Sequence, residues 1–449
     1  MPSFLELPLE SIVEALCLRC CPLHRPYDIN TCPQCYTNPS NGPECSTALA
    51  NLCLTSRTLN AIATPHLYHY PMCSRWWLLL RTFIQNRDLA RHVRHLRNDT
   101  WTLFSDIRPS VVRNEFAEVL AYRRQKAQDY VGILDDFDTQ TFLQVELQVD
   151  ENFEANIPID LMMSLCTNVE TIDATVYWGY IFASLMQPMP RLRELNISHG
   201  DSEYGIYMEG VAPLAALMPR LDSMLCHAVT SCGNFSHPLN LTTLVLQHSS
   251  ISSPSLINIL EACPHLEIFE YDAGGMLVGY EQFSPNQAQV GLTLHSKRLR
   301  VLSLDLDLDN TGAGITCDYD WVMDSLVELD KLQHLSVDTR CVVIHPDPYH
   351  NRQARTATGA IVPFSRHTFR DPEPTMLMEL LPPSIRTIHI KQGPKGPPMQ
   401  KLRTALSRLA VVRKDLFPNL QHVEAHGMNP AAVEELTRSF ALKGVTFKG

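Results

Sequence analysis

The chain has 449 residues, 45% of them hydrophobic and 19% charged, which is more than one small core requires and too apolar for a disordered polypeptide. Its formal net charge of -11 hides three regions, with 9 Arg and no Lys against 7 acids in residues 1–100, 13 bases against 34 acids in 101–350, and 15 bases against 7 acids in 351–449. A middle region this acidic repels phosphate backbones, which argues against general nucleic-acid binding and favours basic protein partners.

The opening MPSFLELPLE has no cationic n-region and no apolar h-region, and the run WWLLL at 76–80 is fenced by Arg75 and Arg81, so neither secretion nor membrane spanning is expected. Fourteen cysteines without a signal peptide point to the reducing cytoplasm or nucleus, where thiols or a metal outrank disulfides. The N-x-S/T matches at Asn98, Asn196, Asn234 and Asn240 therefore read as chance.

In LELPLESIVEALCLRC, Pro8 can occupy a first helical turn, where its missing N–H costs little, and Leu9, Ile12, Val13, Leu16 and Cys20 fall on one face. Residues 21–45 then concentrate cysteine. Cys17-x2-Cys20-x11-Cys32-x2-Cys35 supplies two CxxC pairs whose thiolates can meet a tetrahedral zinc, and zinc would fold a loop too polar to fold alone. The separation of 11 is shorter than the about 15–20 of the usual double-CxxC site, so reduced surface thiols and a disulfide stand beside structural zinc as readings. No other cofactor is expected.

The stretch LANLCLTSRTLNAIATPHLYHY at 49–70 reads as a helix that stops, restarts at a proline and ends on Leu67-Tyr68. Leu49, Leu52 and Cys53 form one stripe, Leu59, Ile62 and Ala63 another, and Pro65 opens a last short turn. Three helices this small leave apolar residues unburied, as expected of a module completed by a partner.

Beyond it the frame apolar-x-x-apolar-x-apolar recurs nine times: Val169/Ile172/Ala174, Leu192/Leu195/Ile197, Leu221/Met224/Cys226, Leu241/Leu244/Leu246, Leu266/Phe269/Tyr271, Leu299/Leu302/Leu304, Leu332/Leu335/Val337, Ile385/Ile388/Ile390 and Leu420/Val423/Ala425. First positions lie 20 to 53 residues apart, mostly near or above the roughly 20–29 of leucine-rich repeats. The second and third apolar residues of each frame point to one side of a short strand. Helical spacing precedes several copies, as in GVAPLAALMPRL at 210–221, SPSLINILEACPHL at 253–266 and DWVMDSLVELDKLQHL at 320–335. The expected fold is mixed α/β, an irregular leucine-rich-repeat solenoid with outer helices and a parallel sheet lining its concave side; a doubly wound α/β domain is the alternative. Gly- and Pro-rich breaks predict long loops near 272–297 and 340–378.

Between the buried positions, Asp173, Asn196, Glu270, Asp272, Asp305, Asp338, His389 and Lys391 face outward and are the candidate substrate-binding residues. The run DLDLDN at 305–310 reads as a wet face rather than a metal site, and His422, Glu424 and His426 read as surface groups on alternate strand positions. There is no HExxH, GxSxG, P-loop or helix-opening GxGxxG, so enzymatic readings lack their anchors and no catalytic residue is expected.

At its start the chain resembles the F-box family, through Leu7-Pro8-x-Glu10-x-Ile12-Val13-x-x-Leu16, then Leu49-x-x-Leu52-x-Leu54-x-x-Arg57-x-Leu59-x-x-Ile62-Ala63, then Pro65-x-Leu67-Tyr68. RTFIQNRDLARHVRHLRN at 81–98 is similar to the helix and first strand that follow the box in fungal members, and the insertion at 21–45 departs from the usual pattern. The resemblance implies residues 1–70 as an F-box module and 71–449 as the repeats. It implies a substrate-recognition subunit of an SCF-type cullin-RING ubiquitin ligase, in which the box docks on a Skp-type adaptor and the repeats select a target protein. By carry-over, the adaptor-facing residues would be Leu7, Pro8, Ile12, Leu16, Leu52, Leu54, Leu59, Leu67 and Tyr68. The alternative is a non-catalytic leucine-rich-repeat scaffold with a vestigial box and no ubiquitin role.

Overall fold

The structure is a computed structural model that describes residues 8–11, 13, 41–71, 76–98, 162–176, 188–199, 205–208, 217–233, 235, 238–274, 283–306, 322–342, 376–392 and 399–449. The chain divides into two compact units, Met1–Asp201 with Gly210–Met224 and Ser202–Glu209 with Leu225–Gly449. Both mix helices with strands paired in parallel.

In the first unit, helices α1 (Asn41–Thr55) and α2 (Arg57–Leu67) pack against each other. The break between them is set by Ser56, whose backbone is extended and whose hydroxyl accepts a bond from the Leu59 N–H at 3.1 Å. Asn60 Nδ2 donates to the Cys53 carbonyl at 3.0 Å and ties the second helix back to the first. Contrary to the expected restart, Pro65 lies inside α2. So near the C-terminus its missing N–H removes a single helical bond, and the Tyr68 N–H still reaches the Thr64 carbonyl at 3.2 Å. Helix α1 also takes in Asn41 to Cys45, the end of the segment read as a loop.

Val13, Leu49 and Ala63 form a small buried core, with Leu52, Cys53, Ile62 and Leu67 packed around it. Helices α3 (Trp76–Gln85) and α4 (Arg87–Ala90) then lead into strand β1 (His95–Asn98), the helix-then-strand order that residues 81–98 predict. β1 pairs with β2 (Thr171–Val176), and β2 with β3 (Glu194–His199). The His69 carbonyl accepts from the Arg94 and His95 N–H groups at 2.9 and 3.1 Å, so hydrogen bonds join residues on either side of position 70.

In the second unit, β4 (Ile206–Tyr207) pairs with β6 (Val229–Ser231), while β5 (Ser223–His227) begins in the last residues of the first unit. Then β7 (Thr243–Ser249), helix α5 (Ser253–Ala262), β8 (Ile268–Ala273), α6 (Pro285–His295), β9 (Val301–Asp305), β10 (His334–Asp338), α7 (Thr339–Val342), α8 (Met376–Leu380), β11 (Thr387–Lys391), α9 (Met399–Leu416), β12 (His422–Ala425), α10 (Pro430–Ala441) and β13 (Thr446–Lys448) follow. From β7 to β13 each strand pairs in parallel with the next in chain order. Neighbouring helices pack in the same order, α5 on α6, α8 on α9 and α9 on α10.

The six-residue frame has a backbone cause. Its nine copies fall on β2, β3, β5 and β7 to β12 or the turns before them, and all three apolar residues of each copy are buried. The first residue closes a tight turn: Leu192 N–H bonds to Met189 O, Leu221 to Met218, Leu266 to Cys263, Leu299 to Ser296 and Leu420 to Phe417, at 3.0 to 3.2 Å. In Met189-Pro190, Met218-Pro219, Cys263-Pro264 and Phe417-Pro418 the proline occupies the turn position where its fixed φ helps. The next residue then donates to the equivalent position of the preceding copy within the same unit, Glu267 to Thr242, Arg300 to Glu267, Gln333 to Arg300, Arg386 to Gln333 and Gln421 to Arg386, at 2.7 to 2.9 Å. Turn, staple and strand therefore repeat together.

Two expected segments differ. Residues 272–297 are not a continuous loop, because α6 occupies their second half. Its start is a capping box in which the Ser284 hydroxyl accepts from the Gln287 N–H and the Gln287 side chain accepts from the Ser284 N–H, with Pro285 in the first turn. Conversely, residues 322–333 are turns rather than a helix. Met323, Leu326, Leu329 and Leu332 are buried at near-helical spacing, but the N–H groups of Met323 and Leu326 bond to the distant carbonyls of Cys341 and Leu380 at 2.9 and 2.7 Å. Of the second predicted loop, the ends belong to α7 and α8, and residues 343–375 lie outside the described residues.

Candidate functional site

On strands β7 to β13 one set of side chains is buried and the alternate set faces out, so parallel register lines the outward residues into rungs. One rung reads Val245, Glu270, Ser303, Ser336, His389, Glu424, Lys448. Val245 is itself buried, so the polar part of the rung starts at Glu270. The next rung pairs Asp272 with Asp305 and Asp338 with Lys391.

The centre of this face is acidic. Lys391 Nζ bonds to Asp305 at 3.0 Å, and His248 Nδ1 lies 3.6 Å from Asp272. Burial pushes the Glu270 carboxyl above the usual carboxylate range against the pull of Lys391. Burial does the same to Asp272, with His248 opposing and Asp305 adding to the rise. One lysine thus faces several carboxylates, and a cationic ligand would relieve them.

Asp338 departs from expectation. It is buried, at 1% exposure, because β10 ends there and α7 starts at the next residue, the buried Thr339. Asn196 on β3 is also buried, at 8%. In the first unit Asp173 lies 3.5 Å from Arg97, its partner in register on β1, so it is ion-paired. Glu270, Asp272, Asp305, His389 and Lys391 are the expected substrate-facing residues that the second unit brings together.

At the far end of the rung Glu424 gathers three bases. Lys448 Nζ donates to its Oε1 at 2.9 Å, His426 Nε2 lies 3.2 Å from the same oxygen, and His422 Nε2 lies 3.8 Å from Oε2. The Lys448 hydrogen bond, with further help from the histidines, holds the Glu424 carboxyl below its ordinary range. His389 stacks edge-on to His426 with ring centroids 5.0 Å apart. Reading these residues as separate surface groups missed this convergence, although the repeat frame puts His389 and Glu424 at the same position of adjacent copies.

Of the candidate adaptor-facing residues, Leu54 is 85% exposed near the end of α1, and Pro8 is exposed. Leu52, Leu59, Leu67 and Tyr68 are half-buried, Leu52 and Leu67 against the small core and Tyr68 with its ring 5.8 Å from Phe83. Leu7, Ile12 and Leu16 lie outside the described residues, and so do Cys17, Cys20, Cys32 and Cys35. Cys166, Cys226 and Cys263 are buried thiols, and burial pushes them up to about 12, which keeps them protonated and unreactive. Among the described residues no helix is long and apolar enough to cross a membrane. No family model matches this chain, and no curated protein matches it.

Proposed function

We propose that the chain is the substrate-recognition subunit of an SCF-type cullin-RING ubiquitin ligase, binding a Skp-type adaptor through residues 1–70 and a target protein through an irregular leucine-rich-repeat solenoid. The observation that carries this reading is Leu54, a large apolar side chain left 85% exposed beside a core whose buried members, among the described residues, are Val13, Leu49 and Ala63. A leucine held in water at a helix end gains roughly 1.5–3 kcal/mol when a partner covers it. The order of capped break, half-buried Leu59 and terminal Leu67-Tyr68 is that of the box resemblance. On this reading the chain itself performs no chemistry; it brings a target to a ligase.

The turn, staple and strand that recur through most of the frames support the solenoid, whose surface for target binding is the polar face of the strands. Glu270, Asp272 and Asp305 favour a target segment rich in Lys or Arg, since burial already strains the Glu270 and Asp272 carboxylates and Asp305 stands beside Asp272 in register. Co-expression with a Skp-type adaptor tests the first half: the unaltered chain is expected to be retained with the adaptor and Leu54→Asp to be lost from it. Retention of neither protein would instead favour a scaffold without a ubiquitin role.

A further inference from the structure

We propose that His389, Glu424 and His426 form a binding site for a divalent cation of the zinc class, separate from the cysteine motif and independent of the adaptor reading. The candidate ligand atoms of the three lie within 4.8 Å of one another. His426 Nε2 and Glu424 Oε1 are 3.2 Å apart, close to the about 3.3 Å that separates tetrahedral ligands at 2.0–2.1 Å from a zinc ion. His389 comes from β11 and Glu424 from β12, adjacent parallel strands with the two in register, while His426 lies in the turn directly after β12, where Gly427 at φ 80° redirects the chain.

His389 supplies an independent sign of a ligand. Its Nε2 is buried and has no hydrogen-bond partner, whereas its Nδ1 lies 3.3 Å from the Ser336 hydroxyl. With Nδ1 protonated and donating to Ser336, Nε2 presents a bare lone pair, the arrangement that orients metal-binding histidines. Two imidazoles and one carboxylate suit zinc better than calcium or magnesium, which prefer all-oxygen sets, and leave a fourth position for water or a partner's side chain.

Lys448 is the competing cation. Its Nζ bonds to Glu424 Oε1 at 2.9 Å, but its side chain is 66% exposed and can swing into water when a metal takes the carboxylate. This gives a test that an ordinary surface ion cluster would not pass. The full chain is titrated with Co2+ at neutral pH, where thiolate ligation gives an intense near-ultraviolet charge-transfer band and histidine-carboxylate ligation gives weak visible bands alone. The unaltered chain is expected to take up one Co2+ with visible bands that persist when the cysteines are alkylated. Glu424→Gln, nearly the same size as the native residue, and His426→Ala are expected to lose that equivalent while keeping their circular dichroism. Ser336→Ala is expected to weaken binding about tenfold, and Lys448→Ala to tighten it about two- to fivefold. Equal uptake by the unaltered chain and Glu424→Gln, or bands that vanish entirely on alkylation, would overturn the proposal.

Discussion

Single residues divide into those that hold the fold and those that face outward, and exposure separates the two. Leu54→Asp removes no packing, so it is expected to shift stability by less than about 0.5 kcal/mol, measured by urea unfolding, while removing adaptor binding. Tyr271 is the opposite case: fully buried, it donates to the Ser249 carbonyl at 2.7 Å. Tyr271→Phe strands that carbonyl and is expected to cost about 1–3 kcal/mol. The Glu270 and Asp272 carboxyls, raised by burial, give a pH signature. A raised folded-state pKa means that the folded chain keeps a proton the unfolded chain has released. The stability is therefore fully present below the unfolded carboxylate pKa of about 4 and is lost as pH rises through the folded-state values. Glu270→Gln is expected to raise the melting temperature at pH 7, with a gain that shrinks as pH falls toward 4. Which side chains face out was legible from the two-residue alternation except at Asn196 and Asp338, and Asp338 shows why. Its burial depends on a helix starting at the next residue, and nothing in the sequence of β10 itself announces that.

At the level of elements, the sequence was most informative where one motif did two jobs. Each frame encodes a strand through its two alternating apolar residues, and several also encode a turn through a proline-containing pair before it, so β2, β3, β5 and β7 to β12 could all be read. Helices were less legible because amphipathic spacing is shared with chains of buried turns. Residues 322–333 show Met323, Leu326, Leu329 and Leu332 at helical intervals, yet their first N–H groups are claimed by carbonyls more than a dozen residues away. Helix α6 was hidden by the glycines before it, although Ser284-Pro285-Asn286-Gln287 is a complete capping signal. Ser284→Ala is expected to cost about 1 kcal/mol by urea unfolding. The same measurement on Asn429→Ala, which removes the acceptor for the Ala432 N–H at the start of α10, is expected to give a loss of similar size.

For the whole molecule, the sequence indicated a mixed α/β chain with parallel strands and helices between many of them. The α1–α2 pair, the β1–β3 strands and the β7–β13 run are its described form. The frame aligns His389 with Glu424, but it does not indicate the approach of the His426 ring, which depends on the turn at Gly427 that follows β12. The charge division along the chain has a counterpart in the second unit: acids gather on β8 and β9, while lysine and histidine enter from β11 to β13. The proposed division of labour places adaptor binding at the start of the chain and target binding on the strands that follow. Calorimetric titration of the purified full-length chain with a purified Skp-type adaptor tests it most directly. The account predicts a one-to-one complex whose affinity falls at least about a hundredfold in Leu54→Asp, the loss expected when a charge replaces a buried apolar anchor. An unaltered chain that gives no binding heat and no complex on gel filtration would contradict it, as would a Leu54→Asp variant that binds equally well.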